Sequence, residues 1–400
     1  LSGFAWIGSR FVRAALPLIL GSAAALAEGL PPVAPPSPEI RAAFRLSEHY
    51  QKCFLAEGFP IVGSAKAQDM ALREAGWLID RMLEGREDIR RAMIEARVRF
   101  SVMAVDEFTT SVPEHSDLKP GFYWDKRARG LGATPARPSV SCGEENLLCL
   151  HGDPYAKENI LIHEFGHALD EMGLRRIDPS WAGRLRETYE RARAAGLWAD
   201  KYAMVNKQEY WAEGVQSWFD CNRENDREHN HVDTRAELLA YDPGLAALCR
   251  EVFGERDWRY TRPETRLELP HLRGYDRDRL PRFAWPRDLS RTYQTFSSPE
   301  ELPAAPEPAA WVSLAPVADT TISQRGGAAS SLILVSGRAD LVRVAWIDFE
   351  GRPRNPQILR PGMFLLLSTY AGHVWRVEDE AGNALARYSA EGEVCRAVVR

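Results

Sequence analysis

Apolar positions along the chain follow two regimes. From Asp69 to Gly85, Ala71, Ala75, Leu78 and Met82 recur at helical spacing, and Arg97 to Val105 then alternates like a strand. The apolar run Glu145 to Leu150, bounded by Gly143 and by Gly152-Asp153-Pro154, reads as another strand. Leu161, Phe165, Ala168 and Met172 then share one helical face, with Asp153 as the expected N-cap, Pro154 at the first helical position and Gly173 as the stop. A further helix is expected over Lys207 to Phe219, and helical pattern continues from Ala236 to Phe253. Past Arg262 the chain turns rich in Pro and Arg, and the last segment changes character. Leu332 to Val335, Leu341 to Phe349 and Met363 to Leu367 are short apolar runs separated by turn signals such as Glu350-Gly351. The expected class is α+β, with a mixed helix-and-strand domain at 41–265, a Pro-rich linker at 266–310 and a small all-β sandwich at 311–400.

Composition narrows the partners. The 400 residues are 45% hydrophobic and 27% charged, enough for two or three packed cores, and the net charge of -5 provides no basic field for nucleic acid. Arg10 and Arg13 precede an apolar run from Ala14 to Ala27, which reads as an export signal at 1–27, followed by a proline-rich tether at 28–40. The run is shorter than the roughly 20 residues a membrane span needs, so the expected location is secreted or periplasmic, with no span after the signal. All six cysteines follow the expected cut, and an even count in an exported chain favours disulfides. Cys142 with Cys149 is the first pairing expected, and Cys221 with Cys249 the second.

Residues 163 to 167 read His-Glu-Phe-Gly-His. On a helix the two histidines at i and i+4 project from one face and reach one ion, while Glu164 is offset to take a proton from a water on that ion. Catalytic zinc takes three protein ligands, so a third must come from elsewhere. Glu209 and Glu213 share a face of the next expected helix, beside Tyr210, Trp211 and Trp218; one would bind metal while the other orients a ligand histidine. His229-Asn230-His231 has polar neighbours and reads either as cleft lining or a second metal site or, more commonly for histidines at i and i+2 on a polar loop, as simply exposed; the run Trp124 to Arg127 reads as cleft lining or ordinary surface charge.

The order His163 to His167, Tyr202, Asn206, then Glu209 to Glu213 resembles the gluzincin peptidases, in particular the catalytic domain of anthrax lethal factor and its relatives. That resemblance covers roughly Ser141 to Phe219. It implies a zincin-type domain and one Zn2+, with His163, His167 and Glu209 as ligands, Glu164 as general base and Tyr202 as oxyanion donor. It sets Glu213 and Asn206 behind the ligands, and makes Leu147 to Leu150 the strand that aligns a protein or peptide substrate.

In the last domain, Trp346 to Gly351, Leu359 to Gly362 and Ser368 to Trp375 resemble the β-domain of the von Hippel-Lindau tumour suppressor, a sandwich whose aromatic pocket recognises hydroxyproline peptides. By that resemblance Trp346, His373 and Trp375 are pocket residues. Thr369 stands where the family has Ser, and Pro356 where it has Tyr. The implied function is a secreted zinc endopeptidase directed to proline- or hydroxyproline-rich proteins. The alternatives are a peptide-binding protein with a structural zinc site, or another metal hydrolase using the same water chemistry.

Overall fold

The computed structural model describes residues 32–118, 121–286, 311–359 and 364–400. The expected export signal therefore lies outside the described residues. Among those described, no helix is long and apolar enough to cross a membrane.

The first region opens with α1 (Pro38–Phe44), capped by Ser37, and Ala34 exchanges backbone hydrogen bonds with Cys53. The later part of the expected tether is thus ordered, because Pro38 sits at the first helical turn, where its missing N–H costs nothing. Strands β1 (Lys52–Ala56) and β2 (Phe59–Gly63) form a hairpin, followed by α2 (Asp69–Met82), α3 (Glu87–Glu95) and β3 (Arg99–Met103). The helical residues expected to face inward, Ala71, Ala75, Leu78 and Met82, are all fully buried. After α4 (Gly121–Arg127) come β4 (Gly130–Leu131) and β5 (Ser139–Gly143). They complete a sheet of order β1-β2-β3-β5-β4, in which β2, β3 and β5 run parallel and β4 lies antiparallel at the edge.

Every residue of β2, β3 and β5 is buried. Alternation survives as chemistry rather than exposure. Phe100, Val102, Val140 and Cys142 enter the apolar core, while Arg99, Ser101 and Ser139 face a polar layer in which Tyr50 bonds to Ser101 and Glu114, and Arg99 pairs with Glu114.

Two expectations fail just before the central helix. Glu145 to Leu150 is not a strand: α5 spans Glu144–Leu147, Leu150 N–H reaches back to Glu145 O at 2.7 Å, and Cys149 takes a left-handed φ of 49°. The turn is held by its two acids. Glu144 accepts the N–H groups of Gln68 and Val105, and Glu145 pairs with the fully buried Arg129 at 2.5 Å. Asp153 and Pro154 do not open the helix either. Asp153 closes a local turn onto Tyr155 N–H, and α6 (Ile160–Ala168) is capped by Asn159, whose side chain accepts from Ile162 N–H at 3.0 Å.

Beyond α6 the backbone widens into a π-helical turn (Leu169–Leu174) and α7 (Arg175–Ile177). Gly173 therefore does not stop the helix; a Cβ there would sit 2.8 Å from Ile89, so this glycine lets α3 approach. Four more helices follow, α8 (Trp181–Ala194), α9 (Lys207–Trp218), α10 (Arg235–Tyr241) and α11 (Pro243–Phe253). Residues 266–286, read from composition as linker, pack onto this body. Arg266 and His271 clasp the buried Glu74, and Phe283 N–H bonds to His151 O at 2.9 Å.

Among the described residues the last region has eight strands: β6 (Trp311–Ser313), β7 (Ala329–Ser336), β8 (Val342–Ile347), β9 (Pro353–Leu359), β10 (Phe364–Tyr370), β11 (Val374–Glu378), β12 (Ala384–Ser389) and β13 (Val394–Val399). They form sheets of order β10-β7-β13-β6 and β12-β11-β8-β9, whose inner residues, among them Leu332, Leu334, Val344, Trp375, Val377 and Tyr388, share one apolar core. The architecture is thus a mixed α/β region followed by a small β sandwich.

No disulfide joins the cysteines. All six are buried free thiols, and neither expected pair forms. Short separation in sequence misleads here, because Cys142 lies in β5 with its thiol on Gly143 O, while Cys149, past the α5 turn, points to Asn146 O and the Tyr260 hydroxyl.

Candidate metal centre

Two helices build the site. On α6, residues i and i+4 bring His163 and His167 to one face, with Nε2 atoms 3.1 Å apart. On α9 the Asn206 side chain caps the helix by accepting from Gln208 and Glu209 N–H, which fixes the first turn and aims Glu209. Glu209 Oε2 lies 3.1 Å from His163 Nε2 and 3.3 Å from His167 Nε2. The indole of Trp211 ties the helices together by donating to Gly166 O at 2.9 Å.

These three atoms fit a metal. Zinc bonded at 2.0–2.1 Å to a tetrahedral set separates its ligand atoms by about 3.3 Å, close to the spacings above, and His163, His167 and Glu209 are the set of potential metal ligands that converges among the described residues. The local field agrees. Burial disfavours a charged His163, yet the Glu209 hydrogen bond and the charges of Glu164, Glu209 and Glu213 carry it up to about 10. Burial likewise opposes ionisation of Glu209, but the two imidazoles hold it well below the carboxylate range. Such a field favours added positive charge.

Behind the ligands, His163 Nδ1 meets Gln216 Oε1 at 2.8 Å, with Glu213 Oε1 further off at 3.5 Å. Gln216 in turn donates to Asn159 O and Glu158. Sequence reasoning assigned the supporting role to Glu213 and missed Gln216, which sits two turns after Glu209 on the same face of α9. His229 is likewise not an exposed loop residue: it is 4% exposed and lies 3.2 Å from Glu213 Oε2.

Glu164 lies under β4. Cβ atoms added at Gly130, in β4, and at Gly132, just past it, would stand 2.9 Å from Glu164 Cγ and 2.6 Å from His167 Cβ, so only a backbone bare at both positions passes this close to the helix. Burial raises the Glu164 carboxyl, against the pull of both imidazoles. Tyr202, whose ring centre is 6.3 Å from that of His163, has a phenol pushed far above its ordinary range by burial and the Glu209 charge, so it stays protonated as a donor. Arg127, at the end of α4, donates to its hydroxyl at 3.4 Å.

In the β sandwich, Trp346 and Trp375 face each other across β8 and β11, but their surroundings differ. Trp375 is 7% exposed, and its indole N–H donates to Thr369 Oγ1 at 3.1 Å inside the core. Trp346 joins Phe349 and His373 in a half-buried cluster, with ring centres 5.2 to 5.6 Å apart, and Tyr370 packs on His373 at its exposed rim. The Trp346 indole N–H has no partner among the described residues. The structure thus brings Trp346 and His373 together at the surface and sets Thr369 and Trp375 beneath them.

No curated protein matches the chain. Among solved structures, the Pro-Pro endopeptidase PPEP-2 from Paenibacillus alvei aligns over 48% of this chain and 96% of that one, at 16% identity and a TM-score of 0.29, a superposition too loose to bear on fold or function. Residues 322–390 match the family model of the VHL beta domain, a span holding β7 to β12 and the whole aromatic cluster, and that match supports a VHL-like β-domain at the C-terminal end of the chain.

Proposed function

We propose that the first region is a zinc-dependent peptidase of the gluzincin type, and that the β-domain binds proline-rich or hydroxyproline-containing peptides for it. The carrying observation is the convergence of His163 Nε2, His167 Nε2 and Glu209 Oε2, with Glu164 next to His163 on α6 and the Tyr202 ring centre 6.3 Å from that of His163.

In this reading the three residues hold Zn2+, which when bound supplies an acidified water and polarises the scissile carbonyl. Glu164 takes the proton from the attacking water and returns it to the leaving amine. The Tyr202 hydroxyl, protonated and backed by Arg127, donates to the oxyanion as it develops. Gln216 and Glu213 hold the His163 ring from behind, so that Nε2 points to Glu209 Oε2 and His167 Nε2, with which it would share the ion. The expected aligning strand at Leu147 to Leu150 is a buried helical turn, so the alignment falls to β4, whose outer edge has no partner strand among the described residues. The β-domain part of the reading is supported by the family match and by the half-buried rings around the unpartnered Trp346 N–H. Export to the periplasm or beyond remains part of the proposal, carried by the N-terminal sequence alone.

The test is elemental analysis of wild type, Glu209→Ala and Glu213→Ala, alongside cleavage of a mixed peptide library. About one zinc per chain, lost most severely in Glu209→Ala and accompanied by cleavage, is the expected result. Protein that stays metal-free and inert after zinc is added back overturns the peptidase and leaves the peptide-binding β-domain as the functional part.

A further inference from the structure

The loop after α9 is dense in charge, with Asp220, Arg223, Glu224, Asp226, Arg227 and Glu228, yet one of its residues turns inward. His229 Nδ1 meets Asp226 Oδ1 at 2.9 Å, and Nε2 lies 3.2 Å from Glu213 Oε2, off the line of a hydrogen bond. Glu213 is 2% exposed, and its other oxygen is the one that approaches His163 Nδ1. Asn222, from the same loop, donates to Glu213 Oε2 at 3.0 Å. The loop also grips the tyrosine: Glu228 O accepts the Tyr202 backbone N–H at 2.8 Å, and the His229 and Tyr202 ring centres are 6.4 Å apart.

A carboxylate buried as deeply as Glu213 needs a compensating cation or several donors, and without them it swings or takes up a proton. His229 meets that need. Burial disfavours its charged form, but Glu213 and Asp226 outweigh burial and the opposing Arg223, so the imidazole is held above its usual range. Resting on the peptidase reading above, we infer that His229 is a positioning residue, which fixes Glu213 behind His163 and seats Tyr202, so that the metal-holding and oxyanion sides of the site keep one geometry. It touches neither substrate nor ion. Its influence travels through Glu213 on one side and through the Tyr202 ring on the other.

The experiment compares the full-length wild type with His229→Phe, His229→Gln and Asp226→Asn. Zinc affinity is read by competition with a chromophoric chelator, and kcat and KM by peptide cleavage. His229→Phe is expected to bind zinc 10- to 100-fold more weakly, with kcat reduced and KM little changed. His229→Gln keeps a donor for Glu213 and should recover most of the affinity. Asp226→Asn loosens the imidazole without emptying buried space and should show a smaller loss in the same direction. In a Glu213→Gln background the further loss from His229→Phe should largely vanish, because both act through one carboxylate. Zinc affinity and kcat in His229→Phe matching wild type, or equal losses in the Phe and Gln variants, overturn the inference. Should His229→Phe fail to fold, wild-type affinity in Asp226→Asn overturns it instead. A wild type that binds no zinc sinks the peptidase reading itself and the inference with it.

Discussion

The two regions treat buried polarity in opposite ways. Residues 32–286 carry charge into the interior: Glu74 under Arg266 and His271, Arg129 on Glu145, Arg99 on Glu114, and the carboxylates around His163. The β-domain buries mostly aliphatic and aromatic side chains, and its buried charges among the described residues are two: Asp348, in the turn after β8, which accepts Glu350 and Arg352 N–H, and Arg387 in β12, paired with Asp319. Its candidate binding face is a set of half-exposed rings. A metal centre needs ionic donors at low dielectric, and each buried ion there needs a partner, so polarity spreads outward from the site. A face that stacks on a prolyl ring makes no such demand.

Four measurements break or sharpen that contrast, the largest effect first. If the interior charge serves chemistry, Glu164→Gln should lower kcat by about 10²- to 10⁴-fold while zinc content stays at the wild-type level; a turnover loss under tenfold would remove Glu164 from the reaction. Glu145→Ala should destabilise the first region by about 3–5 kcal/mol in urea unfolding, because it strands a buried guanidinium. The pair Glu145→Leu with Arg129→Met should recover most of that loss, and a single variant as stable as wild type would refute the need for paired ions.

Acid should expose a third term. His115 is 1% exposed, and burial pushes its imidazole from 6.5 down to about 4, with Glu114 opposing. The unfolded chain therefore takes the proton first, so this contribution is intact above about pH 6.5 and is lost as pH falls toward 4, worth about 3 kcal/mol. His115→Phe should flatten the pH dependence of the urea midpoint across that window, and an unchanged slope would count against it. The smallest effect belongs to the β-domain. Trp346→Ala should weaken binding of a proline-rich peptide by about 0.5–1.5 kcal/mol, as read by calorimetry, and leave zinc content untouched.

Where a residue's own neighbours in sequence set its fate, the chain was legible. The i and i+4 histidines, the inward face of α2 and the short apolar runs broken by turns in the β-domain all follow local pattern. What misled was long-range pairing. Glu145 to Leu150 has the composition of a strand, but the contact of Glu145 with Arg129 turns it into a helical corner. The strand that does pass the site has only two residues, Gly130 and Leu131, too few for alternation to show. Gln216 and His229 carry no motif. His229 even sits in a run that reads as solvated, and only the buried Glu213, sixteen positions earlier in the chain, explains why it turns inward.

The six unbridged thiols have a consequence of their own. Burial raises every one of them, Cys53 and Cys149 to about 11 and the rest upward as well, so the reactive thiolate is scarce while the chain is folded. Five lie in the first region and one, Cys395, in a β-domain strand. Each alkylation event thus records a local opening, and the molecule carries its own clock for how often either half comes apart.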